Sequence, residues 1–320
     1  MAPWLFLIAY TCSGLAGLIY EVTWTRLLTL YIGHTTAAAS TVVAAFLGGL
    51  AVGAAVGGRM ASALPSRRSL QVYAGLELTV ALCALLLPFE LRAFAPALSG
   101  AYRNGDATVV FSLLRVLSCG VMVFIPALAL GATFPMAIRW FARRSDRPAT
   151  QSSTLYFVNT AGAAIGALLA GFVLIPRLGM NGSVYVAMAA SLIAAACVLA
   201  VSLSVSDDAA GVVDATHPTS RRGPPEPGTA PQQSAALVMA LLGASGFAAL
   251  VHEIAWTRIL SLILGPTTYA FAATLAAVVA GVALGSGAGT YLVARFPRRA
   301  AGMLAFTLAL AAATAVWTYS

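Results

Sequence analysis

The chain has 320 residues, 60% hydrophobic and only 9% charged, with a mean hydropathy of +0.89. A soluble domain carries about 25% charged residues, so this composition excludes an ordinary soluble enzyme, a disordered regulator and a nucleic-acid binder. The net charge of +8 comes from 18 basic residues, all of them Arg, and they sit between apolar runs, where basic charge sets orientation in a bilayer.

A helix needs about 20 apolar residues to cross the hydrocarbon core. Nine runs qualify, at 4–32, 37–61, 70–89, 108–136, 154–175, 183–205, 235–264, 268–293 and 301–319. Pro65, Pro148, Pro176 and Pro297 fall at or near their ends, as expected of residues that break helices. No stretch of about ten residues alternates polar with apolar, which excludes an outer-membrane barrel. The first run lacks a basic leading segment and is too long for a signal peptide, so it reads as a span. Cys12, Cys83, Cys119 and Cys197 lie inside apolar runs, where thiols pack as small hydrophobes; their placement supports neither a disulfide framework nor a metal site. With the N-terminus cytoplasmic, twelve Arg fall in cytoplasmic loops, and only Arg92, Arg103 and Arg177 fall on the other side. That asymmetry sets the orientation as N-in. The absence of Lys beside abundant Ala and Arg fits a GC-rich bacterial genome, and hence the bacterial inner membrane.

Residues 206–234, SDDAAGVVDATHPTSRRGPPEPGTAPQQS, hold five prolines and four acids and read as a flexible cytoplasmic linker. It divides a six-helix membrane half, 1–205, from three further spans, 235–320. The two sides are related. Ser13 to Pro65 aligns without a gap to Ser245 to Pro297 at an offset of 232, with 21 identities in 53 positions. The matches include Glu21/Glu253, Trp24/Trp256, Arg26/Arg258, Gly49/Gly281, Gly53/Gly285 and Gly57/Gly289. Shared apolar bias does not align Glu, Trp and Arg in register, so the pattern is an internal duplication. An even number of spans precedes each copy, so the copies run parallel, as do the two halves of major-facilitator transporters. The expected fold is therefore an all-α, polytopic, major-facilitator-like bundle. Its second repeat is expected to be truncated, because only three of six spans are present.

Glycines four apart lie along one helix face and let another backbone approach. Gly49, Gly53 and Gly57, and likewise Gly281, Gly285 and Gly289, are expected to be helix-packing positions. Six ionisable residues fall within spans: Glu21, Arg26, Glu77, Arg115, Glu253 and Arg258. On insertion scales each costs roughly 2.5–3.5 kcal/mol at the bilayer centre, so such residues face the bundle or water. Two readings stay open for them. Three acids and three bases can form structural ion pairs, or the carboxylates can line a cation or proton pathway, with Asn159 adding a polar contact. Glu21 and Glu253 are expected to be equivalent groups facing a polar interior, with Glu77 near Glu21. No grouping of His, Cys and acids points to a metal, and no Ser/His/Asp set points to hydrolysis, so no catalytic residue is assigned and no cofactor is expected in this chain.

Together, SGLAGLIYEVTWTRLLTLYIGHT, FLGGLAVGAAVGGR, YAGLEL, PALALGATFPMAIR and LYFVNTAGAAIGALLAGFVLIPRLGM resemble the membrane part of the bacterial fused major-facilitator/spermidine-synthase family. The resemblance covers nearly all of the chain except the linker. It implies a membrane domain of a spermidine-synthase-like protein whose partners are the lipid bilayer, a cationic small molecule such as a polyamine, and a C-terminal aminopropyltransferase domain. No nucleic acid is implied. The aminopropyltransferase domain, which would carry any spermidine synthase activity, has no counterpart in these residues. Two functions follow from the resemblance: a transporter-like domain for polyamines or related organic cations, or a non-transporting membrane anchor for the synthase domain.

Overall fold

The backbone is helical over nearly all of its described length, in a computed structural model covering residues 2–32, 36–103, 108–141, 148–205, 232–265 and 267–319. The helices are α1 (Ala2–Ile32), α2 (Thr36–Ala63), α3 (Ser66–Arg103), α4 (Thr108–Cys119), α5 (Ile125–Phe141), α6 (Pro148–Leu169), α7 (Ile175–Leu203), α8 (Gln232–Leu264), α9 (Thr268–Arg295) and α10 (Ala300–Tyr319). No strand occurs among the described residues. Among the described residues, eight helical stretches are long and apolar enough to cross a membrane, and the chain is a multi-pass membrane protein.

The sequence had predicted nine spans. The difference lies in Gln151–Leu203, which runs as one apolar stretch of 53 residues. At 1.5 Å per residue a straight helix of that length would reach about 80 Å, far beyond a hydrocarbon core of about 30 Å. Gly179 breaks it with φ 70° and ψ −178°, a conformation that side chains other than glycine resist. Both legs, α6 and α7, lie along α1, so the stretch folds back on itself as two of the predicted runs.

Two π-helical turns, Gly120–Phe124 and Ala170–Leu174, join α4 to α5 and α6 to α7. Each is followed by Ile-Pro, at Ile125-Pro126 and Ile175-Pro176. Proline has no N–H to offer the carbonyl four residues back, so the hydrogen-bond register widens by one residue there. α3 also departs from its predicted run of 70–89. It continues through Pro88 and Pro96 to Arg103, and Leu91 and Phe94 on the extension pack against the core. α8 begins at Gln232, inside the predicted linker; linker residues 206–231 lie outside the described residues.

α1 is the hub. It lies along α6 and α7; α3 sits between α5 and α7, α2 pairs with α5, and α6 packs against α9. In lipid there is little hydrophobic force between helices, so close backbone approach decides the contacts. A methyl group added at Gly14 would land on the Asn159 carbonyl, one at Gly162 on the Thr11 carbonyl, and one at Gly166 on the Leu15 carbonyl. The α2–α5 seam is built the same way. Gly53 faces the Leu128 carbonyl, a Cβ at Gly57 would lie 2.8 Å from the Ala132 Cα, and Gly131 returns the contact against the Leu50 carbonyl.

The matching face of α9 differs from its expected role. Nothing lies within 4 Å of a Cβ placed at Gly281, Gly285 or Gly289. The physical reason is that the groove α5 fills on α2 has no helix in it on α9. α9 packs on α6 through other residues: Gly171 meets Ala272, and a Cβ at Gly287 would lie 3.6 Å from the Phe157 ring.

The core has two parts. One gathers Tyr20, Trp24, Leu28, Phe46, Leu87 and neighbouring residues. The other gathers Phe6, Tyr10, Tyr73, Met136 and Trp140, with the Phe6 and Trp140 rings 4.7 Å apart. By contrast, none of the most apolar window of α8, nor of α10, is buried.

Candidate functional site

Glu21 lies in the middle of α1, only 7% exposed. The residues around it are also buried: Thr23 bonds the Ile19 carbonyl at 2.6 Å, and Trp24 stacks on Tyr20 with centroids 4.8 Å apart. The charge that acts on Glu21 is that of Glu253 on α8. Two carboxyls from equivalent positions of the repeat therefore come within electrostatic reach of each other. Glu253 itself is half-buried. Like charges brought together in a region of low dielectric repel strongly unless a cation or a proton intervenes.

The arginines expected nearby are arranged otherwise. Among the described residues, no arginine acts on Glu21 or Glu253. Arg26 is half-buried and Arg258 exposed. Residues five apart on a helix diverge by about 140°, so Arg26 points away from Glu21 and Arg258 away from Glu253. Arg115 is on α4, and its side chain lies outside the described residues. Asn159 sits where α6 crosses α1, with its backbone carbonyl and side-chain oxygen both over Gly14.

Glu77, expected near Glu21, has different surroundings. Its carboxyl is fully buried among Ser13 of α1, Tyr73 of α3 and Ser191 of α7, and Tyr20 also feels its charge. Consecutive residues on a helix point about 100° apart. The charge of Glu77 acts on Tyr20, while that of Glu253 acts on Glu21, one residue on. Neither oxygen of Glu77, nor the hydroxyls of Tyr20, Tyr73 and Ser191, makes a hydrogen bond of good geometry, although the Ser13, Tyr73 and Ser191 hydroxyls lie close enough to act on the carboxyl. The sequence reading passed over these hydroxyl residues. A signal existed: Tyr73 precedes Glu77 by four residues and Ser13 precedes Tyr20 by seven, so each pair shares a helix face. Among the described residues no group of three or more His, Cys, Asp or Glu could hold a metal ion.

No family model matches the chain, and neither a curated protein nor a solved structure shows significant similarity to it.

Proposed function

We propose that this chain is a transporter-like membrane domain of the spermidine-synthase-like, major-facilitator-like kind, and that it takes a polyamine or related organic cation between its two repeat halves. One observation supports the reading: the charge of Glu253 acts on Glu21, its equivalent in the other copy, and among the described residues no arginine acts on either. Two carboxylates within electrostatic reach of each other suit a ligand bearing ammonium groups, because the ligand supplies the charge that the described residues do not. Remote parts of such a ligand would meet the apolar walls of α1 and α8. A purely structural pair would instead join opposite charges.

The test uses the full chain reconstituted in liposomes, with spermidine as the probe. Glu21→Gln and Glu253→Gln should each weaken binding at least thirtyfold, since losing one partner of a charge contact at an interface costs about 2–5 kcal/mol. Thermal stability without ligand should hold or rise, because a repulsion has been removed. If Glu21 instead neutralised a buried Arg, Glu21→Gln would destabilise the bundle by about 3–5 kcal/mol. Unchanged spermidine binding together with a lowered melting temperature would end the transport reading of this pair.

A further inference from the structure

We infer that Glu77, Tyr73, Tyr20 and Ser191 form a binding site for one small monovalent metal cation, sodium being the ion of matching chemistry. Five side-chain oxygens from α1, α3 and α7 collect here: both carboxylate oxygens of Glu77, the Tyr20 and Tyr73 hydroxyls, and Ser191 Oγ. All five are buried and none makes a hydrogen bond of good geometry, although the Tyr73 and Ser191 hydroxyls lie close enough to act on the Glu77 carboxyl and Ser191 on Tyr20. The Ser13 hydroxyl lies alongside. Buried polar atoms are normally paired, and each one left unpaired is expensive. Five in one place, on three different helices, is not an accident of a single rotamer.

The chemistry of the set limits the ligand. It is all oxygen, with no imidazole or thiolate among the five, which selects a hard cation over zinc or copper. It holds one carboxylate. The groups that feel its charge are Tyr10, Cys12 and Tyr20 on α1 and Tyr73 on its own helix; none is basic. α7 contributes Ser191, and α5 faces α3 with Met136, bonded through its carbonyl and sulfur to Ser69. One unit of positive charge neutralises the cluster, whereas a divalent ion would leave a net charge in the bundle interior. A single ion would also serve all five poorly paired oxygens at once. The site is separate from the Glu21–Glu253 pair and does not depend on what that pair binds.

The consequence is an ion-dependent clamp. α1, α3 and α7 would be tied together by a ligand that can leave, in a bundle otherwise held by fixed backbone contacts. The measurement is thermal unfolding of the full chain in detergent micelles, titrated with sodium chloride against caesium chloride at constant ionic strength. The wild type should be stabilised by sodium, the unfolding constant falling about a hundredfold once sodium exceeds its dissociation constant by that factor. Glu77→Gln should lose the response. Ser191→Ala and Tyr20→Phe, which keep the packing, should move the midpoint to higher sodium by about tenfold each, and they serve if Glu77→Gln does not fold. Equal melting in the two salts would overturn the site, as would a sodium response surviving in Glu77→Gln or untouched in both hydroxyl variants. A melting temperature that follows pH and ignores sodium would assign the carboxyl to a proton instead, and would equally overturn it.

Discussion

The two copies of the repeat share 21 of 53 residues and meet different surroundings. In the first copy Trp24 is 1% exposed and Glu21 is buried; in the second, Trp256 and Glu253 are only half-buried. Gly53 is pressed against the Leu128 carbonyl, while Gly285 faces open space. The same residues at the same helical positions thus carry different energetic weight. A glycine face permits close approach, but a helix must be present to use it. The contrast between α1–α2 and α8–α9 comes from what surrounds them, namely α5, α6 and α7, and not from the motif.

The widest expected gap between the copies is at tryptophan. Trp24→Ala should destabilise the protein by about 3–5 kcal/mol, the usual result of emptying a buried aromatic site. Trp256→Ala should lose well under half of that in the same chemical-denaturation experiment. Equal losses would break the comparison, since they would place both rings in equally tight surroundings.

Glycine should give the next largest difference. Gly53→Leu forces a side chain into the Leu128 backbone, and overpacking of this kind costs about 1–3 kcal/mol or more. Folded yield in detergent should fall, and size-exclusion chromatography reads it directly. Gly285→Leu should elute and melt as the wild type. A defect in Gly285→Leu of similar size would mean that this face is covered in the folded protein.

The smallest expected effect concerns a hydrogen bond just beyond the end of the first copy. Ser69 Oγ donates to the Met136 carbonyl at 3.1 Å, and the position 232 residues on is Ala301. Ser69→Ala should cost about 0.5–1.5 kcal/mol, the net worth of one buried hydrogen bond. Ala301→Ser, on an exposed turn of α10, should change nothing measurable. A Ser69→Ala variant that melts with the wild type would show that this bond does not help fix α3 against α5.

The helices could be read from the sequence because every run longer than about 20 apolar residues has one stable solution in a bilayer. Their ends were harder to read. The apolar run was read to end at 89, yet α3 continues through Pro88 and Pro96 to Arg103 because Leu91 and Phe94 still find a core to bury against. The reversal at Gly179 was legible, because the apolar pattern lapses between the runs 154–175 and 183–205, where Pro176 and Arg177 lie. For the site, the repeat alignment identified Glu21 and Glu253 as equivalent, but equivalence does not say that two residues meet. Glu77 was legible as a costly intramembrane acid. Its hydroxyl neighbours were not, because they come from three helices that the sequence does not place side by side.

The contacts between α1 and α6 also set a waiting time. Thr11 packs on Gly162 and Leu15 on Gly166, partners separated by about 150 residues of chain. At a synthesis rate of about 5–20 residues per second, α1 sits in the membrane for roughly 8–30 s before α6 exists. During that interval the glycine seam of α1 has no α6 beside it. The first helix must therefore stand with that seam uncovered by its eventual partner until the chain has grown long enough to enclose it.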